Sequence, residues 1–196
     1  MTACSAFILA GGLGRRLSGR VKPLVEVGGH TILARQVETL AALGLRPSLV
    51  APDPRPFAHL DLEVVEDDVT AGALGGLYTA LRHARESHVV VLAGDMPFVS
   101  APFLAHLIEV VADHDAAVPN AGGLWHPLCA VYHRRAAAQL RRAIDDGRWR
   151  VIDAIALLDV RPVFDDEIAP FDRDGRLLLN VNTPDDYRRA DPRATL

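Results

Sequence analysis

His88-Val89-Val90-Val91-Leu92-Ala93-Gly94-Asp95-Met96-Pro97 decides the fold. The run from His88 to Ala93 is almost wholly apolar and rich in β-branched side chains. That composition reads as a strand covered on both faces, the habit of parallel sheets whose crossover helices pack above and below. Gly94 and Pro97 force a turn, so Asp95 stands at the carboxyl end of the strand, where open α/β sheets hold their ligands.

Working back from this strand, a helical pattern covers 74–85 after the glycine-rich turn at Gly72, and a short strand covers 62–65. Further back lie a strand over 48–51, a helix over 31–43 with Leu33, Val37, Leu40 and Ala41 on one face and Gly44 as its stop, and a first strand over 6–10. Working forward, Ser100-Ala101-Pro102 caps a helix reaching about residue 114, and strands follow over 116–119 and 128–132. A last strand is expected over 177–182, with Thr183 as N-cap, Pro184 at the first helical position and Asp185 and Asp186 in the first turn. Short branched runs alternating with helical patterns predict βαβ units and a mainly parallel sheet.

A chain of 196 residues, 49% hydrophobic, suits one well-buried core, so one domain over 1–196 is expected. The formal net charge of -4 leaves no global positive field for nucleic acid or an anionic membrane, and any anionic ligand must be held by local charge. Cys4 and Cys129 form no CxxC pair, which points away from a disulfide framework or zinc site and toward a reducing compartment. The N-terminus lacks a basic signal-peptide region, and no apolar run approaches the roughly 18 residues of a membrane span, so a cytoplasmic protein is expected.

Local charge is concentrated after the first strand. Leu9-Ala10-Gly11-Gly12-Leu13-Gly14-Arg15-Arg16 leads to Lys22-Pro23, with Arg20 between, and no acidic residue occurs before Glu26. Glycines let backbone N–H groups approach an anion, and the cations add attraction, so polyphosphate is the expected ligand. A Walker A loop fails because Pro23 follows Lys22, and a dinucleotide fingerprint fails because Leu17 stands where its third glycine belongs.

Asp95 suits Mg²⁺, which takes one or two protein carboxylates and fills its remaining sites with water and phosphate oxygens. A turn aspartate bonding its own backbone fits equally well at this level. Asp67 and Asp68 precede a second glycine-rich turn that reads as a surface loop or as an approach to a base or ribose. Asn180 and Asn182, two apart on the expected strand, would present both amides on one side, for a ligand or for loop backbone. His126 before Pro127 is a candidate substrate contact, ranked below the structural or solvated role that a lone histidine more often has.

These motifs resemble those of the molybdenum cofactor guanylyltransferases. The residues that carry the likeness are Leu9 to Gly12, Arg15-Arg16, Lys22-Pro23-Leu24, the Gly72 to Gly76 turn, Gly94-Asp95-Met96-Pro97-Phe98 and Asn180-Val181-Asn182-Thr183-Pro184, in the family's order and near its spacing. The resemblance implies a Rossmann-like, glycosyltransferase-A type fold, a three-layer α/β/α sandwich. It implies transfer of GMP from GTP to the phosphate of molybdopterin, with Mg²⁺ as cofactor and pyrophosphate released. By that likeness Leu9, Ala10, Gly11, Gly12, Asp67 and Gly75 contact the nucleotide, Arg15 and Lys22 stabilise phosphate charge, Asp95 ligates Mg²⁺, and Asn180 and Asn182 face the acceptor. Gly11 favours guanine, since cytidylyltransferase relatives resemble LAAG there and a missing methyl leaves room for a purine. GTP and molybdopterin are the expected partners, with transient contacts to proteins of cofactor biosynthesis. Cytidylyl transfer, phospholactate or sugar-phosphate activation, a non-catalytic nucleotide-binding protein and a dinucleotide oxidoreductase are the alternatives.

Overall fold

The computed structural model describes residues 3–11, 13–14, 20–67 and 69–191. Eight strands form one sheet: β1 (Cys4–Leu9), β2 (Ser48–Ala51), β3 (Val64–Glu66), β4 (His88–Ala93), β5 (Ala116–Ala121), β6 (Leu124–Trp125), β7 (Cys129–His133) and β8 (Val160–Val163). Their spatial order is β6-β5-β7-β4-β1-β2-β3, with β8 alongside β5. The helices are α1 (Ile32–Ala41), α2 (Gly72–His83), α3 (Ala101–Val110), α4 (Ala137–Asp145), α5 (Val151–Ile155), α6 (Asp165–Ile168) and α7 (Pro184–Ala190). Among the described residues no helix is long and apolar enough to cross a membrane.

The four strands β4, β1, β2 and β3 run parallel, whereas β7 is antiparallel to both β4 and β5. Strand alternation sorts side chains into two layers of core. Ala6, Ile8, Val90 and Leu92 pack on one face with Leu33 and Leu40 of α1 and Phe103, Leu104 and Leu107 of α3. Phe7, Leu9, Val89 and Val91 pack on the other with Leu74, Leu77 and Leu81 of α2 and Leu140 of α4. Helices therefore cover both faces, and Val89 to Leu92 are completely buried, which accounts for the unbroken apolar run.

From β1 the chain moves through α1 to β2, continues outward to β3, and returns through α2 to β4 on the other side of β1. Strand order thus reverses between β1 and β4. Above such a reversal the crossover helices leave in opposite directions and open a crevice at the strands' carboxyl ends.

Several expectations are corrected. α1 ends at Ala41, and Gly44, at φ +73°, closes it while Leu45 N–H donates to the Leu40 carbonyl at 3.0 Å. Ser100 occupies the N-cap position of α3 without a side-chain cap bond, and the helix stops at Val110. The strand expected over 177–182 is absent. Leu177 is buried with Phe103 and Ile168, whereas Val181 is buried with Val25, Val27, Ile32 and Tyr187, so this apolar segment is a strap tying two clusters rather than a ladder partner. Helices α4, α5 and α6 and strand β8 were not read from the sequence, although Leu140, Ala143 and Ile144 give α4 an apolar face.

One buried polar group holds the far end of the sheet. Asp115, only 9% exposed, accepts from Arg135 Nε at 2.7 Å and from the Asp159 N–H at 3.1 Å. Burial alone would push its carboxyl up, but the bonds and charge of Arg135 and the Asp159 N–H outweigh it and hold the group below the usual range. A depressed folded-state pKa gives stability that is present above the unfolded value and lost as pH falls through the folded one. Asp115→Ala is expected to cost about 1–3 kcal/mol at neutral pH. In chemical denaturation the gap to the parent protein should close below pH 3.8, the ordinary carboxylate value.

Candidate active site

A cleft of about 490 Å³ opens at the carboxyl ends of β1, β2 and β4, over the reversal point. Leu9, Gly11, Pro52, Asp67, Gly76 and Gly94 line it, and Lys22 and Asp95 stand within it. The floor is set by backbone contacts between strands that are distant in sequence: Ala10 N–H donates to the Val50 carbonyl at 2.8 Å, and Gly94 N–H to the Leu9 carbonyl at 3.0 Å. A methyl on Gly94 would meet Pro23 Cγ at 2.6 Å and the Leu9 carbonyl at 3.0 Å. Glycine is needed there so that Pro23 can lie against the turn and carry Lys22 to Asp95.

Three chain segments meet at Lys22. Its ammonium lies 3.5 Å from Asp95 Oδ2 and donates to Asn182 Oδ1. Both partners of the ion pair are mostly buried, with side-chain exposures of 22% for Lys22 and 15% for Asp95. Burial pushes the Asp95 carboxyl above its ordinary value, and the Lys22 charge offsets only part of that effect. Asp95 Oδ1 is buried and has no hydrogen-bond partner among the described residues. A buried, unpartnered carboxylate oxygen on a residue that lines the cleft fits a divalent cation, which would supply the missing interaction. Among the described residues no group of three or more His, Cys, Asp or Glu assembles, so an ion held here would take most of its ligands from phosphate and water, as Mg²⁺ does.

Asn182 is held from behind. Its N–H and that of Thr183 donate to Asp186 Oδ2 at 3.1 and 2.9 Å, while Thr183 Oγ1 accepts from Asp186 N–H at 3.2 Å. This capping box starts α7. Thus Asn182 reaches Lys22 from a helix cap rather than from a strand, and Asn180, two residues away, is exposed.

Asp67 follows β3 and lines the cleft, but its Oδ1 also accepts from Thr79 Oγ1 at 2.9 Å and from Val69 N–H at 3.3 Å. The carboxylate laces the 67–71 loop onto α2. Gly75 lies beneath that loop, where an added Cβ would overlap the Val69 carbonyl, and Gly76 rather than Gly75 lines the cleft. Leu9 faces the cleft, and Ala10 is buried beside it. His126 acts through its backbone: its N–H donates to the Pro119 carbonyl at 2.9 Å, extending the β5–β6 pairing, and its carbonyl accepts from Cys129 N–H at 3.0 Å in the turn to β7. Its burial favours the neutral imidazole. Gly12, Arg15, Arg16 and Asp68 lie outside the described residues.

Gln36 escaped the sequence reading. It is 2% exposed on α1, and its amide donates to the Ala93 carbonyl at 2.7 Å and the Met96 carbonyl at 3.1 Å. The available signal was a polar residue between Leu33 and Leu40 on the apolar face of a helix.

Known proteins share this architecture and sequence. A family described as a MobA-like NTP transferase domain matches residues 6–160. A probable molybdenum cofactor guanylyltransferase of Methanosarcina mazei is 33% identical over 195 residues, covering 93% of this chain and 87% of that protein. The molybdenum cofactor guanylyltransferase of Rhodopseudomonas palustris is 33% identical over 199 residues, covering 96% and 93%. The crystal structure of molybdopterin-guanine dinucleotide biosynthesis protein A from Archaeoglobus fulgidus superposes with a TM-score of 0.83 at 30% identity, covering 96% of this chain and 97% of that one. A cytidylyltransferase for 2-C-methyl-D-erythritol 4-phosphate from Thermus thermophilus shares the fold at 18% identity, with a TM-score of 0.73. With a family match over most of the sheet and relatives a third identical along nearly the whole length, the chain belongs to the MobA-like NTP transferase family.

Proposed function

We propose that this chain transfers GMP from GTP to the terminal phosphate of molybdopterin, with Mg²⁺ held by Asp95. The observation that carries the reading is Lys22, drawn between Asp95 and Asn182 within a cleft at the strand-order reversal. The names of the relatives in Methanosarcina mazei and Rhodopseudomonas palustris supply the substrate class.

An oxygen of the acceptor phosphate forms the new bond to the α-phosphorus of GTP. The bond from that phosphorus to the bridging oxygen of the β-phosphate breaks, and pyrophosphate leaves with the electron pair. The acceptor is already ionised, so no general base is required, and positioning and charge stabilisation supply the acceleration. Lys22 opposes negative charge gathering on the α-phosphate, with Arg15 assigned the same task, and Asn182 fixes the Lys22 ammonium. A bound Mg²⁺ supplies Lewis-acid neutralisation of phosphate charge. Asp67, Gly11 and Gly76, which line the cleft, are assigned to the wall that receives the base, and Asn180 and Asn182 are assigned to the acceptor by the family likeness. The same reading places the reaction in the cytoplasm, with transient contacts to the proteins that supply molybdopterin or take the product.

Pyrophosphate release is to be measured with GTP, CTP and ATP separately, with and without molybdopterin and Mg²⁺. Release from GTP alone, dependent on both additions, is expected; equal use of CTP would sink the guanine assignment. Gly11 gives a sharper test. Among the described residues a methyl there would meet only Pro52 Cδ, at 3.7 Å, so Gly11→Ala should fold normally while taking space from the base. A fall of about tenfold in kcat/KM for GTP, with CTP less affected, is the expected size for one methyl in a pocket.

A further inference from the structure

We propose that Gln36 is a positioning residue for Asp95, its carboxamide fixing the turn that presents the carboxylate; this rests on Asp95 as the metal-binding residue. The two carbonyls it binds, Ala93 at 2.7 Å and Met96 at 3.1 Å, bracket Gly94 and Asp95. Two neighbouring N–H donors of one amide thereby set the span of the turn. The turn is also gripped from the other sides: Gly94 N–H donates to the Leu9 carbonyl at 3.0 Å, and Val181 N–H donates to the Asp95 carbonyl at 2.8 Å. Pro23 packs against Gly94. Among the described residues, Gln36 is the one side chain from outside the turn that hydrogen-bonds the backbone at 93–96; the other bonds to that backbone come from backbone groups, and Lys22 bonds only the Asp95 carboxylate.

Packing alone does not explain an amide at this position. Gln36 lies on the same helix as the buried Leu33 and Leu40, and its Oε1 is buried with no hydrogen-bond partner among the described residues. A leucine or methionine would fill the same space without an unmet acceptor. What the amide adds is the pair of bonds to the turn. Asp95 lines the cleft with Lys22 on its Oδ2 and its Oδ1 buried and unpartnered among the described residues, and the backbone at 94–96 carries that carboxylate.

Two variants test this. Gln36→Met keeps length without donors, and Gln36→Asn keeps the amide on a stem too short to span both carbonyls. Thermal melting, kcat and KM for GTP, and binding of Mn²⁺ followed by electron paramagnetic resonance in the presence of GTP are to be measured for both, beside Asp95→Asn. Cooperative melting with kcat down by about 10–100-fold and KM for GTP nearly unchanged is expected, the size seen when a catalytic group is displaced by about an ångström. Mn²⁺ binding should weaken by about tenfold, and raised Mg²⁺ should restore part of the activity of the Gln36 variants but none of that of Asp95→Asn. A folded variant with parental kcat and Mn²⁺ binding overturns the proposal, as does loss of cooperative melting in both variants. If Asp95→Asn itself binds Mn²⁺ like the parent protein, the metal assignment fails separately.

Discussion

Asp95→Asn is expected to reduce pyrophosphate release by about 10³-fold or more while leaving the protein as stable as the parent at neutral pH, or more stable. The catalytic loss follows from removing the carboxylate assigned to the cation, and charge-stabilising groups in phosphoryl and acyl transfer are worth this much. The stability result follows from burial, which raises the Asp95 carboxyl despite the nearby Lys22. A folded-state pKa above the unfolded one means that the folded chain binds the proton more tightly. Folding then weakens as pH rises from the unfolded value through the folded one, and at neutral pH the ionised, desolvated group opposes folding. Asparagine keeps the shape and removes the charge. Denaturant titrations at neutral pH and near pH 3.8, the ordinary carboxylate value, should show the advantage of Asp95→Asn only at the higher pH. Residual turnover near the parental rate would end the metal assignment.

Lys22→Met should lower kcat/KM for GTP by about 10²-fold, the effect of withdrawing one well-placed donor from developing charge. Its stability signature is opposite to that of Asp95→Asn. Asp95 Oδ1 already lacks a partner among the described residues, and removing Lys22 strips Oδ2 of its cation as well. A loss of about 1–3 kcal/mol is expected for leaving a buried acceptor unsatisfied. Asp95→Asn introduced into Lys22→Met should recover most of that stability and none of the activity. Additive stability losses in the double variant would mean that the 3.5 Å contact between them carries no coupling, against the arrangement of the site.

The local readings that succeeded rest on patterns with one physical solution. An unbroken apolar run bounded by Gly94 and Pro97 has to be covered on both faces, and β4 begins at His88 and ends at Ala93 as the sequence reading expected. Thr183, Pro184 and Asp186 specify a helix start by short-range hydrogen bonds, and the capping box forms. The run over 177–182 has two solutions. Its apolar residues suit a strand or a strap, and only the two separate clusters that claim Leu177 and Val181 choose between them. Gln36 went unread for a related reason, since its value lies in carbonyls 57 and 60 residues away.

The sequence by itself determined a mainly parallel α/β sheet with a carboxylate at the end of its most apolar strand, because hydrophobic period and turn residues act over a few residues. The tertiary structure alone decided that β4 returns beside β1, and so that the strand order reverses there. That return is a matter of long-range packing. It brings Lys22 to Asp95 across 73 residues and to Asn182 across 160, and no local pattern encodes which distant side chain will share one ammonium.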